Sequence, residues 1–171
     1  MNTQNWNIDN DGTSVHSISE VYIPWLGDSM KTWFEIEENQ TWWTDRQAQV
    51  FEEFLNLSIN VQLDLIDKLQ QVYLKSLENG RIENVLFEDI LKSIDWKKSH
   101  ICIPQHYESK NQYAFLLLET KWKLTDSDFT FELEMLFTNG KIEIVQEMSG
   151  LWNRIEWFED YLKRKNTKNT I

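Results

Sequence analysis

Residues 130–147, TFELEMLFTNGKIEIVQE, constrain the fold more than any other part of the chain. Apolar and polar side chains alternate along both halves of this stretch, which is typical of half-buried strands. Asn139 and Gly140 stand between the halves, and this pair is preferred in two-residue type I′ turns because both positions need a positive φ. Such a turn fixes the register of the hairpin. It predicts the cross-strand pairs Thr138–Lys141, Phe137–Ile142, Leu136–Glu143, Met135–Ile144 and Glu134–Val145.

The two faces of this predicted hairpin differ in character. One face is apolar and is expected to point into the core; it carries Leu133, Met135, Phe137, Ile142 and Ile144. The other mixes acids with aliphatic side chains, namely Glu132, Glu134, Leu136, Glu143, Val145 and Glu147. Two interpretations of that second face stay open. It is an ordinary solvated sheet face, or it is an acidic patch on which Glu132, Glu134 and Glu143 bind a basic partner.

Further strands are predicted on both sides of the chain's midpoint. Residues 21–25 and 31–37 indicate a strand pair joined by a turn at Gly27. Residues 112–122 are apolar on both faces, which favours a strand inside a sheet that is covered on each side. Together with the hairpin this strand forms a three-stranded meander, and residues 100–104 are a plausible additional strand.

Four helices are predicted from apolar spacing and end signals. Thr44 and Gln47 form a capping box, in which each side chain bonds the other's backbone amide, at the start of the first helix. The second covers residues 60–78 and is expected to bury Leu63, Ile66, Leu69, Tyr73 and Leu77. A shorter helix over 85–94 and a last one over 151–165 complete the set. The last repeats apolar residues at Leu151, Ile155, Phe158 and Leu162.

These elements predict a single α+β domain over residues 14–165. Its sheet is expected to be mainly antiparallel, made of the N-terminal strand pair and the C-terminal three-stranded meander, and packed with three to four helices. No linker rich in Gly, Ser or Pro divides the sequence. Residues 1–13 are polar and Asn-rich, so we expect them to be poorly ordered. Residues 166–171 are expected to form a frayed basic tail.

The charge of the chain favours one kind of partner over another. It holds 28 Asp and Glu against 17 Lys and Arg, with a formal net charge of −11 at pH 7. Nucleic-acid binding is opposed, because phosphate contacts need clustered Lys and Arg. An acidic protein attracts basic partners over a distance, although the same charge also serves plain solubility.

Cellular location is predicted from what the sequence lacks. Cys102 is the single cysteine, so no internal disulfide forms and a reducing compartment is favoured. No stretch approaches the ~18 apolar residues of a membrane span. The first 20 residues lack the basic start and apolar run of a secretory signal. We therefore expect a cytoplasmic protein that does not bind membranes.

The candidates for chemistry are few. His100, Cys102 and His106 lie within seven residues and offer three metal ligands, but no second Cys/His cluster completes a site. The apolar surroundings of Cys102 raise a thiol pKa, whereas a nucleophile needs a lowered one. The alternative interpretation, a structural strand with a buried thiol, is favoured. We therefore expect no enzymatic activity, no metal and no cofactor.

Nine tryptophans are more than a core of this size usually needs. Trp42 and Trp43 are adjacent, and Trp152 and Trp157 project about 140° apart on the predicted last helix. Either one of each pair caps the core, or the surplus indoles anchor an interface, where Trp is over-represented. On the second interpretation the partner-binding residues near the N-terminus are Trp33, Glu35, Glu37, Trp42, Trp43 and Asp45.

Three stretches carry a resemblance to a known family. These are the Thr44-to-Gln47 helix start followed by FEEFL, the second helix as far as Tyr73, and the FLLLETKW to FELEMLFTNGKIEIVQ meander. Over roughly residues 44–147 the chain resembles a family of small bacterial proteins of unknown function, some of which are regarded as immunity proteins to secreted toxins. The resemblance implies an inhibitor that binds a cognate, basic toxin or effector. The alternative is a cytoplasmic adaptor or a homo-oligomeric structural protein, such as a homodimer, without catalytic activity.

Overall fold

A computed structural model gives the structure of residues 5–37, 40–85, 87–105 and 113–148. In these residues one sheet contains eight strands. They are β1 (Trp6–Ile8), β2 (Ser14–Ser17), β3 (Val21–Ile23), β4 (Asp28–Glu35), β5 (His100–Ile103), β6 (Tyr113–Lys123), β7 (Thr130–Thr138) and β8 (Lys141–Glu147). Two α-helices, α1 (Asp45–Leu55) and α2 (Ile59–Glu78), and a 3₁₀ turn (Ile90–Ser93) complete the described elements.

The sheet is mixed, with the strand order β1-β2-β4-β5-β6-β7-β8 and with β3 paired to β4. β4 and β5 are parallel, and the other neighbours are antiparallel. A parallel pair needs a long crossover between its strands. Here α1 and α2 lie in that crossover. They bury Phe51, Phe54, Leu65 and Leu69 against one face of the sheet, called the inner face below.

The first helix begins as its capping box predicts. The Gln47 amide donates to the Thr44 hydroxyl (3.2 Å), and the Thr44 amide donates to the Gln47 side chain (2.9 Å). The same Gln47 side chain also donates to the carbonyls of Glu35 (2.7 Å) and Ile103 (3.0 Å). Gln47 therefore joins the helix start to the ends of the parallel strands β4 and β5.

The predicted fold class is wrong in two respects. The described residues hold two α-helices rather than three to four, and the sheet is larger and mixed. The described residues of the stretch 85–94 do not form the predicted helix, and Asp89 caps a single 3₁₀ turn by accepting from the Leu91 amide (2.9 Å). A short helix is marginal without tertiary support. The Tyr73 hydroxyl instead holds the backbone of Val85 in place, donating to its carbonyl (2.6 Å) and accepting from its amide (3.1 Å).

Part of the N-terminal segment is described by the structure, whereas the C-terminal segments are not. β1 lies within the segment 1–13, for which the sequence favoured poor order, and its Trp6 is buried against Phe34 with ring centroids 5.2 Å apart. The three residues of β1 hold too few positions for alternation to reveal the strand. The predicted helix 151–165 and the tail 166–171 lie outside the described residues.

The hairpin forms, but its register changes beyond the turn. Asn139 and Gly140 have φ of 50° and 82°, and the pairs Thr138–Lys141 and Phe137–Ile142 are confirmed. A bulge at Glu143 then shifts the partners, so the other three predicted pairs are wrong. The observed pairs are Leu136–Ile144, Met135–Val145 and Glu134–Gln146. The bulge turns Val145 to the inner face, toward α2, and Ile144 to the opposite face, called the outer face.

Candidate partner-binding surfaces

The six N-terminal candidate residues do not form one patch. Trp33 packs on the outer face, where its ring lies 5.4 Å from that of His100. Trp42 and Trp43 pack on the inner side, with Trp43 4.7 Å from the ring of Phe34. Trp33 therefore lies on the opposite side of the sheet from Trp42 and Trp43. Glu35 is partly buried, and its carboxylate accepts from the Gln105 amide (3.4 Å), whereas Glu37 and Asp45 are exposed.

Most of the tryptophan side chains in the described residues pack in the hydrophobic core. Of the seven tryptophans in the described residues, Trp6, Trp25, Trp96 and Trp122 are buried, and Trp33, Trp42 and Trp43 are partly buried. Two buried indoles also satisfy their N–H groups, Trp25 on the Phe54 carbonyl (2.8 Å) and Trp122 on the Ser93 hydroxyl (2.7 Å). The interface anchored by surplus indoles is thus not supported by these seven. Trp152 and Trp157 lie outside the described residues.

The three hairpin acids lie in different environments. Glu132 is exposed, but Glu134 is fully buried and accepts from the Gln146 side-chain amide (2.7 Å). The Glu143 side chain, on the bulge, is 5% exposed and pairs with Lys141 (2.6 Å). Of the three, only Glu132 is available to a partner. The solvated acidic face that the sequence predicted is therefore mostly covered.

An exposed apolar surface appears where the sequence predicted burial. Ile59, Leu63 and Leu74 of α2 are 60%, 59% and 55% exposed. We call these three residues the α2 stripe; their spacing places them along one side of the helix. Leu63 was expected inward with Leu69, but the fully buried leucines of α2 are Leu65 and Leu69. The helix has apolar residues on more than one side, so spacing alone could not decide which side faces the sheet.

A groove adjoins the C-terminal half of this stripe. It lies between α2 and the segment made of Val85 and residues 87–90, and it encloses about 450 Å³. Its lining is mainly apolar, with two acids at one side: Ile66, Gln70, Tyr73, Leu74, Val85, Phe87, Glu88, Asp89 and Ile90. The Tyr73 hydroxyl joins the two walls of the groove, because it donates to the Val85 carbonyl and accepts from the Val85 amide.

The His/Cys cluster shows no sign of activation. Cys102 is buried, and burial raises the pKa of its thiol far above the ordinary value, with the nearby Glu35 charge acting in the same direction. Burial also lowers the pKa of His100, and His16 adds to that effect. His106 lies outside the described residues. Among the residues that are described, no three His, Cys, Asp or Glu side chains come together as metal ligands.

A Ser/His/Asp set escaped the sequence analysis. The Ser14 hydroxyl bonds both the Asp9 carboxylate and Nε2 of His16, the latter at 2.7 Å. In a nucleophilic triad the histidine stands between the carboxylate and the hydroxyl. Here the hydroxyl stands between, and Asp9 accepts from the Thr13 and Ser14 amides as well. Burial would raise the pKa of Asp9, but the bonds from Ser14 and its neighbours lower it to about 2. The set is a turn-stabilising network between β1 and β2.

Comparison with known proteins adds no family to this description. No protein-family model, no curated protein and no solved structure matches the chain. The resemblance to small bacterial proteins with immunity members therefore stays a prediction. In the part of the chain that the structure describes, no helix has the length and apolar character needed to cross a membrane.

Proposed function

We propose that this protein is an immunity-type binding protein, which neutralises a toxin or effector by holding a basic region of it against the α2 stripe and the adjoining groove. The proposal is carried by one observation, the α2 stripe. Three large aliphatic side chains more than half exposed on one helix are costly to leave in water. Ile59 and Leu63 are one helical turn apart, and Leu74 lines the groove together with Ile66 and Tyr73. The stripe and the groove together offer apolar surface with polar neighbours, which is typical of a protein-binding site.

The charges around the stripe support a basic partner. Asp64 and Asp67 lie on α2 beside Leu63, and Glu88 and Asp89 line the groove. The chain as a whole carries −11. Such a field speeds the approach of a cationic partner, while burial of the aliphatic side chains slows its release. A basic amphipathic helix is one element that lays its apolar side into a groove of this kind.

The test needs a toxin whose gene lies beside the gene for this protein, where such a toxin is encoded. We expect coexpression to restore growth of cells that make the toxin, and the two purified proteins to bind. Leu63→Arg and Leu74→Arg should each weaken binding at least about 30-fold, because each removes an apolar contact and repels a basic surface. Isothermal titration calorimetry measures both affinities.

Phe129→Arg is the matched control, because Phe129 is 78% exposed and lies in the turn between β6 and β7, outside the α2 stripe and its groove. It should bind as the unmodified protein does. Binding that survives both α2 substitutions removes the stripe from the interface. A toxin that neither binds nor is neutralised overturns the proposed function itself.

Self-association is the competing use of the same surface. A homodimer joined through the α2 stripe would also bury Ile59, Leu63 and Leu74. Light scattering over a range of concentrations distinguishes the two, since we expect a monomer. A dimer that Leu63→Arg dissociates would favour the homo-oligomeric structural protein.

A further inference from the structure

A small cavity lies on the outer face of the sheet, across β5, β6 and β7. We call it the outer pocket; it encloses about 200 Å³. The side chains that decide its chemistry are Lys98, His100, Leu117, Glu119, Glu132 and Met148. Strand alternation puts its strand residues on the same face as Cys102 and Phe115. Since one water occupies about 30 Å³, the space suits a small organic group better than a bare ion.

Two carboxylates meet in the outer pocket with too little positive charge to balance them. Glu119 lies directly opposite Glu132 on the neighbouring strand, and like charges in this position repel each other. Lys98 balances Glu119, because its Nζ lies 3.1 Å from the Glu119 carboxylate and 3.7 Å from that of Asp95. The Glu132 side chain is exposed and has no hydrogen bond or ion pair with any described residue. The pocket therefore keeps one negative charge that its own residues do not neutralise.

The rest of the lining does not repel a cation and offers apolar contact. Burial lowers the pKa of His100, and His16 adds to that effect, so the His100 ring is neutral at pH 7. Leu117 and Met148 supply the apolar side. The Met148 amide donates to the Glu132 carbonyl (3.0 Å), which holds this residue beside the unpaired carboxylate. A thioether side chain adapts its shape readily to an apolar group.

We propose that the outer pocket binds a primary ammonium group that carries a short aliphatic chain, supplied by a free alkylamine or by a lysine side chain. The ammonium donates to the Glu132 carboxylate, as Lys98 already does to Glu119. The aliphatic chain lies against Leu117 and Met148.

Other classes of ligand suit the outer pocket less well. The two carboxylates repel an anion. A metal ion needs several protein ligands, and among the residues that the structure describes no three His, Cys, Asp or Glu side chains come together. A wholly apolar ligand would leave the Glu132 charge unpaired.

The test uses the full chain, labelled with ¹⁵N, and n-butylammonium chloride as the probe at pH 7. We expect saturable shifts of the Leu117, Glu119 and Glu132 amide signals. n-Butanol has the same aliphatic chain without the charge and should cause none. Glu132→Gln should weaken binding of the ammonium at least about fivefold, because it removes the charged acceptor. Glu52→Gln is the matched control, since Glu52 is exposed on α1, which packs against the inner face.

A second pair of variants predicts the opposite change. Lys98→Met releases Glu119 and should strengthen binding at least about threefold, because the site then holds two unpaired carboxylates. Lys97→Met removes the same charge from the preceding residue, which is exposed and does not line the pocket, and it should change the affinity much less. Circular dichroism checks that each variant keeps its fold. These exposed side chains contribute little to stability.

The source of the ammonium is distinguished with a second probe, Nα-acetyl-lysine N-methylamide. Binding of this probe as tight as that of n-butylammonium assigns the pocket to a lysine side chain, and weaker binding assigns it to a free amine. The proposal is overturned by an absence of saturable shifts, by equal effects of Glu132→Gln and Glu52→Gln, or by tighter binding of Ca²⁺ than of the ammonium. No measurement uses a toxin, and α2 packs against the other face of the sheet, so these outcomes do not depend on the proposed function.

Discussion

At the scale of single residues, Gln47 belongs to a local capping motif and also bonds parts of the chain that are distant in sequence. The capping box could be predicted, because both of its members lie within four residues of sequence. The bonds to Glu35 and Ile103 could not, since these carbonyls lie 12 and 56 residues away. A glutamine in a cap is ordinarily a surface residue, but this one is 3% exposed and ties α1 to both parallel strands.

Gln47→Ala should therefore lower the free energy of unfolding by about 3 kcal/mol, because it leaves buried strand carbonyls and the Thr44 amide without partners. Gln49→Ala on the same helix is the control, since Gln49 is exposed and bonds only Glu53 (3.0 Å) within the described contacts. It should change stability by less than about 0.5 kcal/mol. Urea unfolding of both variants gives the comparison, and equal losses would show that the buried bonds contribute little.

At the scale of elements, the hairpin shows which features of a strand pair can be predicted from an alternating sequence and which cannot. The turn and its first two pairs follow from Asn139 and Gly140. The remaining register does not, because a slip of one residue exchanges the faces of a strand. The choice between Ile144 and Val145 for the inner face depends on α2 and on Cys102 and Phe115 of the outer face, which are distant in sequence. The same long-range packing decides which side of α2 is buried.

Two single-residue deletions test this account of the bulge. Deleting Glu143 removes the bulge but keeps Leu136 opposite Ile144 and Met135 opposite Val145, so the free energy of unfolding should change by less than about 1 kcal/mol. Deleting Ile144 instead places Glu143 opposite Leu136, which is fully buried on the outer face. It should cost about 3 kcal/mol or more, because a carboxylate replaces the apolar Ile144 side chain against Leu136 and is moved away from the Lys141 ammonium that it pairs with on the bulge. Thermal unfolding measures both variants, and a larger loss for the Glu143 deletion would show that the bulge itself is required.

At the scale of the whole molecule, composition predicted a charge but not its arrangement. The excess of acids was evident from the sequence, and so was the surplus of indoles. Only the fold shows that Trp25 and Trp122 are core residues and that Glu134 is buried. The α2 stripe and the groove could not be predicted, because the stripe depends on which side of α2 faces the sheet and the groove depends on how Val85 and residues 87–90 pack against the helix. The surface that we propose for partner binding therefore differs from the one that the sequence predicted: it lies on α2 and the adjoining groove and not among the N-terminal residues.

The net negative charge leads to a final prediction about the rate at which a basic partner associates. If the field of the molecule steers a basic toxin, the association rate constant should fall at least about tenfold between 20 and 300 mM salt, because screening shortens the reach of surface charge. The dissociation rate constant should change little.

Replacing Glu88 and Asp89 with Gln and Asn should slow association more than replacing Asp126 and Asp128 with Asn, although each pair of substitutions removes two charges. Stopped-flow kinetics distinguish the two. Equal effects would mean that net charge acts without regard to position, and an absence of salt dependence would mean that the partner is not recruited by charge.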